Sequence, residues 1–597
     1  MIIENIIKKK RRCSFLTKFI NEDLELKDHG DYELLELPAL TEAEKKIIDP
    51  IVAPTSGLRI QIYDEVVENG EKKFFLTNRK LCLFLRVFKA ISLQYKEMKN
   101  DENLKILIVT DNRPSSDLLL KYCSKIFARD NFEIYYQKDD PGKSRMSSPY
   151  GAASVALLKD INLIIVLTAS HNDLSWNGIK FYIDYPIPIS GNLFKKISKK
   201  ALNLKTIELS SHFKPKLIDA EKINNDYVKK LLSRIIDISD LKGETIVIWP
   251  YLGEARGIIN LFKDLGANVV FISEEINPPN PIKVVREEKL QQVMEESNSK
   301  LALLLDADRD RIALYVKQNG QYCTYIPNEI YSAMHNILAK EYHKKIINVR
   351  TIPSDLRGDD TSFINILTGV GYKHLGIILY FLFGIEVDKS KIDSAILYYK
   401  DKSGNLVKLD NPEPLKKYLT QLFEENGIVN EEFLVVMWEE SGGHTINILK
   451  VTKDEKSGNY KLESEFPLIA DKYPVPALVL ISELVSRGHV ISESIDWSIK
   501  GINRTIPAID EEKVRIIANF KKNDGKTIRI GDKEYQVKAL SDNSGKIDIY
   551  QLKSKDSTLY FRPSGTGPDV RFYIFGNRET YLQEIKKVQD YVKANYS

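Results

Sequence analysis

Five short, unbroken apolar runs, ILIVT (106–110), LIIVL (163–167), TIVIW (245–249), ALLLD (302–306) and FLVVMW (433–438), recur along this chain with amphipathic helical stretches between them. An unbroken apolar run suits a strand covered on both faces, and strands alternating with helices predict a parallel α/β fold. At 597 residues the chain exceeds what one core can organise, and ~150 residues per domain suggests about four domains. A charged helical stretch from Pro215 to Gly243 precedes the third run, which sets a boundary near residue 214; a second falls near Ile326, before a helix beginning at about Pro327. From about Trp497 the pattern changes to short strands with turn signals, NDG (523–525), DNSG (542–545) and PSGTGP (563–568), ending in an amphipathic helix from Glu579 to Asn595. The expected organisation is an N-terminal extension (1–50), α/β units at 51–213, 214–326 and 327–496, and a smaller α+β unit at 497–597.

Composition narrows the function classes. With 87 basic against 83 acidic residues there is no overall electrostatic case for nucleic acid or an anionic membrane. The longest apolar run, LGIILYFLFGI (375–385), is too short to span a bilayer. Cys13, Cys82, Cys123 and Cys323 are scattered, without zinc-site spacing or the density of a secreted disulfide scaffold, which fits a cytoplasmic protein. The basic run Lys8–Arg12 lacks the apolar core and cleavage site of a secretory signal and reads as a solvated helix face.

Four stretches carry chemistry. LIIVLTASHNDLSWNGIK (163–180) brings a strand to its exit at Thr168, Ala169 and Ser170 and adds an imidazole, amides and an ammonium. Ligands of α/β sheets bind at such exits, so Ser170 is a candidate phosphoryl carrier. No G-x-S-x-G elbow is present, and a histidine adjacent to the serine in sequence is poorly placed as its base, which argues against a Ser-His-Asp hydrolase. LALLLDADRDRIALYV (301–316) sets Asp306, Asp308 and Asp310 at alternate positions, so that three hard oxygens can converge on Mg²⁺. Arg311 at the sixth position and Lys317 at the twelfth exclude an EF-hand. MWEESGGHTI (437–446) offers carboxylates and a hydroxyl suited to sugar hydroxyls, and RPSGTGPDVRFYIFG (562–576) offers two arginines, hydroxyls and glycine amides suited to a phosphate. The G-K-[ST] triplets at Gly142 and Gly525 lack the earlier glycine of a P-loop and read as turns.

In this order, TASHN (168–172) with NGIK (177–180), DADRDR (306–311), WEESGG (438–443) and RPSGTGPDVR (562–571) resemble the α-D-phosphohexomutase family, with lesser matches at PTSGLR (54–59), TDNRPSS (110–116), PPNP (278–281) and TGVGYK (368–373). The resemblance implies three similar α/β domains with mixed sheets and a C-terminal α+β domain around a central cleft. It also implies a phosphoglucomutase-type reaction, in which phosphate moves between O1 and O6 of a hexose phosphate through phosphoserine and a 1,6-bisphosphate. Carried over, Ser170, His171, Lys180, Arg59 and Lys373 form the reacting centre, with Lys373 as general base. Asp306, Asp308 and Asp310 with the Ser170 phosphate ligate Mg²⁺. Arg311, Glu439, Ser441, Arg562, Ser564, Gly565, Thr566 and Arg571 bind substrate. Glucose 1,6-bisphosphate is the implied activator, sugar phosphates the only partners, monomer or homodimer the assembly, and closure of the last unit on substrate the accompanying motion. Phosphomannomutase, phosphopentomutase, an amino-sugar substrate, bisphosphate synthesis and a catalytically weakened sugar-phosphate-binding or structural relative are the alternatives.

The chain departs from the family pattern at several places. Asp173 replaces the proline usual after TASHN, Trp176 a common tyrosine, and Pro54 a glycine. Arg309 stands at a small-residue position inside the metal loop, Trp438 at a glycine ahead of the sugar loop, and Gly567 at a glutamate. Gly443 occupies a position at which mannose-active relatives often carry histidine, with His444 one place later, which leans toward glucose.

Overall fold

Each apolar run folds as the strand its composition calls for: Lys105–Thr110, Leu163–Leu167, Thr245–Pro250, Leu301–Leu305 and Glu431–Trp438. The computed structural model describes residues 18–49, 58–68, 71–99, 103–187, 191–563 and 569–596. Leu163–Leu167 and Leu301–Leu305 are buried along their whole length, as unbroken apolar strands must be; each buried leucine or isoleucine contributes ~1.5–3 kcal/mol of transfer free energy.

Three of the four large sheets are mixed and share one device. In the first, the order runs Lys216–Ile218, Glu133–Gln137, Lys105–Thr110, Leu163–Leu167, Trp176–Ile183 and Arg59–Gln61; the second is built on Thr245–Pro250 and Leu301–Leu305, and the third on Lys345–Thr351 and Glu431–Trp438. In each, a parallel strand is followed directly by an antiparallel neighbour: Leu163–Leu167 by Trp176–Ile183, Leu301–Leu305 by Ile312–Gln318, and Glu431–Trp438 by His444–Lys453. The loops 168–175, 306–311 and 439–443 are therefore the same hairpin connection repeated three times, and three of the four motifs of the sequence fall on them. The fourth large sheet, Ile499–Pro507 to Thr527–Ile530, is antiparallel throughout and is packed by Asp510–Lys522 and Tyr581–Tyr596.

The first sheet ends with Lys216–Ile218 beside Glu133–Gln137, so it runs past the expected limit at 213. The extension also folds onto the first unit. Lys18–Asn21 pairs with Glu71–Leu76, and Tyr32–Glu36 pairs with Thr206–Ser210. Buried Arg86 donates to the carbonyls of Pro38 (2.7 Å) and Leu204 (2.6 Å), tying the two segments together.

The seam between the third and C-terminal units is apolar, with Ile352, Leu367 and Ile396 against Leu540, Ile549, Tyr560, Tyr573 and Phe575. At one end Glu329, fully buried, accepts from Lys500 (2.6 Å) and Arg578 (2.8 Å). At the other, Asn543 Nδ2 donates to the carbonyls of Ile392 (3.0 Å) and Leu409 (2.9 Å). Any closure of the C-terminal unit has to shear this seam. The run 375–385 becomes the buried helix Tyr372–Leu382 and its exit, and among the described residues no helix is long and apolar enough to cross a membrane.

Candidate active site

Ser170 sits at the end of Leu163–Leu167 with φ +53°, a left-handed conformation that L side chains enter at a cost of ~1–2 kcal/mol. Its surroundings hold it there. The Ser170 N–H donates to the Thr168 hydroxyl (2.9 Å), which donates to Asp111 (2.7 Å). Arg113, fully buried, donates to Asp111 (3.0 Å) and to the carbonyls of Ser170 (2.5 Å), Asn172 (2.8 Å), Asp173 (2.6 Å) and Trp176 (3.0 Å). One guanidinium thus satisfies most of the loop's inward carbonyls. A strained backbone over-determined by its neighbours is a mark of a functional position.

The serine hydroxyl reaches Asp306 Oδ2 at 3.0 Å and Asp310 Oδ1 at 3.4 Å. It also lies 3.3 Å from His171 Nδ1, so the left-handed turn brings the adjacent histidine within reach of the serine, contrary to the sequence argument. Burial, then the positive charges of Arg311 and Arg59, hold this imidazole well below its ordinary range and therefore neutral.

Asp306, Asp308 and Asp310 are buried, and one oxygen of each lies within 4.8 Å of the others. Asp308 Oδ2 accepts from Lys180 (2.8 Å), while its other oxygen is buried without a partner. Three hard carboxylates with an orphaned oxygen suit a hard divalent cation. Burial, then the charges of Asp308 and Asp310, raise the Asp306 carboxyl well above its usual range. Burial acts the same way on Asp310, but Lys472, Lys180 and Arg311 outweigh it and hold Asp310 well below that range. Lys180 also bonds Ser148 Oγ (2.8 Å), and Arg311 stands 3.7 Å from Asp310. Burial lowers the Arg59 guanidinium against the pull of Asp308 and Asp310, which places Arg59 at this centre too.

The sugar loop adjoins the same carboxylates through a residue the sequence reading did not single out. Lys472 pairs with Glu439 Oε1 at 2.6 Å and approaches Asp310 at 3.7 Å. Ser441 donates to Glu439. Burial opposes the Lys472 charge, but Asp310 and Glu439 prevail and raise its pKa. A Cβ at Gly443 would come within 2.9 Å of the Lys472 side chain, so a histidine there is incompatible with this placement of Lys472. His444 itself turns into the core, 2.9 Å from His335, and burial pushes His335 down to about 3. Trp438 is fully buried, donates to Asn348 Oδ1 (2.8 Å) and covers Gly358, a packing role that leaves the loop free. Glu440 accepts from the Thr351 hydroxyl (3.3 Å); burial and the neighbouring Glu439 raise its carboxyl to about 7, against its backbone hydrogen bond, Thr351 and the Arg311 charge.

Arg562 and Arg571 face each other across the strands Thr558–Pro563 and Asp569–Asn577, Arg562 held by Asp548 at 3.0 Å. Buried Tyr573 lies in the field of Glu440 and of both arginines, linking the two loops. Ser564, Gly565 and Thr566 lie outside the described residues, as does Pro54. Lys373, at the start of Tyr372–Leu382, belongs to this side: burial and the Arg562 charge lower its amine. The structure thus joins Ser170, His171, Arg59, Lys180, the three aspartates, Arg311, Glu439 and Ser441 in one network, and groups Lys373 with Arg562.

Residues 81–208 match the family model for phosphoglucomutase/phosphomannomutase alpha/beta/alpha domain I. The phosphoglucosamine mutase of Caldicellulosiruptor saccharolyticus is 31% identical over 162 residues, covering 26% of this chain and 36% of that protein. That of Acetivibrio thermocellus is 32% identical over 165 residues, covering 26% and 35%. The matched stretch is about a third of the length of these relatives. In fold, the chain is similar over 92% of its length to a phosphoglucomutase/phosphomannomutase family protein of Burkholderia thailandensis (98% of that chain, 14% identity, TM-score 0.55). It is likewise similar over 94% to the open form of parafusin, a phosphoglucomutase from Paramecium (96% of that chain, 14% identity, TM-score 0.57). Residues 81–208 are thus similar to the family's first domain, and the chain as a whole has the fold of these two solved structures.

Proposed function

We propose that this protein is a phosphohexomutase that interconverts a hexose 1-phosphate and the corresponding 6-phosphate, with glucose phosphate as the first substrate. The observation that carries the reading is the placement of the Ser170 hydroxyl within 3.0 Å of a buried triad of aspartates, one oxygen of which has no partner. Asp306, Asp308 and Asp310 would hold Mg²⁺ together with the phosphorylated Ser170. When bound, the cation supplies charge neutralisation for the transferring phosphoryl group.

The chain's own residues do the rest. In the first half-reaction the P–Oγ bond of phospho-Ser170 breaks, a bond forms to the free sugar hydroxyl oxygen as its proton passes to the base, and the Ser170 oxygen takes up a proton, giving the 1,6-bisphosphate. After the sugar turns over, the other phosphate returns to Ser170 and its sugar oxygen takes a proton. Lys180, Arg59 and Arg311 oppose the phosphoryl charge, Glu439 and Ser441 orient the sugar hydroxyls, and Arg562 and Arg571 hold the phosphate that does not react. Neutral His171 is suited to accept the Ser170 proton when the serine attacks. Lys373, whose amine burial and the Arg562 charge lower, is suited to carry the proton of the sugar oxygen, while Lys472, held charged by Asp310 and Glu439, is a cation of the site. Lys373→Met is expected to lower kcat by roughly 10²–10⁴-fold, whereas Lys472→Met, which removes the cation paired with Glu439, mainly raises KM. Steady-state kinetics of both variants with the opposite pattern would remove the role from Lys373.

A specific observation favours a second sugar. Glu440 offers a carboxyl that forms no salt bridge among the described residues and on which the Arg311 charge is the weakest of the influences named above. This suits the ammonium of an amino-sugar phosphate, and the relatives above are named for glucosamine. Purified protein with Mg²⁺ and a trace of the matching 1,6-bisphosphate should be assayed on glucose, glucosamine, mannose and ribose phosphates. If glucosamine is the natural sugar, Glu440→Gln lowers its kcat/KM by about tenfold relative to glucose, the worth of one charged hydrogen bond. An unchanged ratio removes Glu440 from sugar choice, and turnover of none of the sugars removes the mutase reading.

A further inference from the structure

Arg309 is the one charged residue of the metal loop that has no place in the chemistry above, and it is neither exposed nor idle. Its backbone is left-handed, φ +62°, and its side chain is 3% exposed. Burial opposes the guanidinium's charge, and Asp111, Asp308, Asp306 and Glu221 favour it. It donates to the carbonyl of Ala307 within its own loop, to the carbonyl of Leu252 (2.9 Å) after the neighbouring strand Thr245–Pro250, and to Asn112 Oδ1 (3.3 Å) of the first unit. Asn112 lies between Asp111 and Arg113, the two residues that hold the Ser170 loop. Gly253 makes room for this contact, since a Cβ there would come within 2.2 Å of the Asn112 side chain. Arg309 and Asn112 also line a cavity of about 310 Å³. The contact therefore bridges a space between the units rather than lying in a packed seam.

We propose that Arg309 is a positioning residue: it staples the metal loop to the loop that carries Ser170, setting the distance between the three aspartates and the serine oxygen. A second tie, Ser148 N–H to the Asp308 carbonyl (2.9 Å), fixes the loop at a neighbouring point, so that together they define its orientation and not only its position. A small residue at 309 would adopt the turn more readily but could not make the bridge. The left-handed arginine is thus a strain retained for alignment. This inference rests on the phosphohexomutase reading for the reaction, and on the aspartates alone for the metal.

The test uses the full chain and two readouts, Mg²⁺ affinity by titration calorimetry without sugar, and steady-state kinetics. R309G is expected to raise the Mg²⁺ Kd about tenfold and to lower kcat by 10–100-fold, the scale on which residues supporting metal ligands act. KM for the sugar phosphate should stay within about threefold, because the sugar and phosphate loops are untouched. R309K, which can still reach the Leu252 carbonyl, should recover part of both losses. A loss of general packing would move KM and thermal stability together and would not be rescued by lysine. Wild-type Kd and kcat in folded R309G would overturn the proposal. If R309G does not fold, N112A, which removes only the far end of the staple, takes its place, with a smaller Kd increase expected and an unchanged Kd overturning the proposal. If the Kd rises in R309G while the wild type turns over no sugar phosphate, the staple stands and the reaction assignment falls.

Discussion

Replacing Ser170 by alanine should lower kcat by roughly 10⁴-fold or more, because the residue that carries the phosphoryl group between the two halves of the reaction would be gone. The fold should survive. Alanine meets the same φ +53° backbone cost as serine, and the Thr168 and Arg113 bonds that hold the turn go to the Ser170 backbone, not its side chain. What is lost is the hydroxyl's contact with Asp306 at 3.0 Å and Asp310 at 3.4 Å. Thermal melting within a few degrees of wild type, together with abolished interconversion, is the expected pair of results. Retained interconversion would mean that Ser170 is not the carrier.

The second large effect is expected at Asp310. Its carboxylate meets Lys180 (3.3 Å), Lys472 (3.7 Å) and Arg311 (3.7 Å), all substantially buried, and accepts from Ser170. Asp310→Asn keeps the volume and removes the only charge these three cations share at that point. Breaking a buried ionic contact by deleting one partner costs about 3–5 kcal/mol. The pH dependence follows from the sign of the shift. Asp310 is held below its ordinary range, so its contribution in metal-free protein is fully present above the unfolded carboxylate value of about 4 and is lost only as pH falls further. The gap in unfolding free energy between wild type and variant should therefore be constant from pH 5 to about 8 and narrow below 4. Denaturant titrations across that range check it, and a gap that widens on acidification would contradict the charge account. Mg²⁺ binding should be lost in the same variant.

The strands and three of the four loops were legible because each motif follows directly on an apolar run, and a strand exit in an α/β sheet is where a ligand site forms. Arg59, His171, Lys180 and the aspartates lie on or beside those exits. Lys472 was not legible. It reaches Glu439 from 33 positions along the chain, after the long hairpin of His444–Lys453 and Tyr460–Glu463, and no local pattern marks a lysine in DKYPVP as a partner of two carboxylates. Arg113 was visible only as part of TDNRPSS, since its role lies in backbone carbonyls, which a sequence does not distinguish. His444 looked available beside the sugar loop, but it opens a strand whose first six residues are buried on both faces. The docking of residues 18–49 rests on strand pairing with distant segments, Thr206–Ser210 and Glu71–Leu76, and short polar strands carry little periodic signal of their own.

The measurement closest to the central claim is phosphoryl transfer to the protein itself. Full-length protein is incubated with Mg²⁺ and glucose 1,6-bisphosphate, or its glucosamine counterpart, and peptides are mapped by mass spectrometry before and after a chase with sugar monophosphate. The account predicts a single phosphoryl group on Ser170, dependent on Mg²⁺, absent in Asp310→Asn, and discharged by the chase with formation of the bisphosphate. A phosphoryl group on another residue, or one on Ser170 that no sugar monophosphate removes, would contradict it.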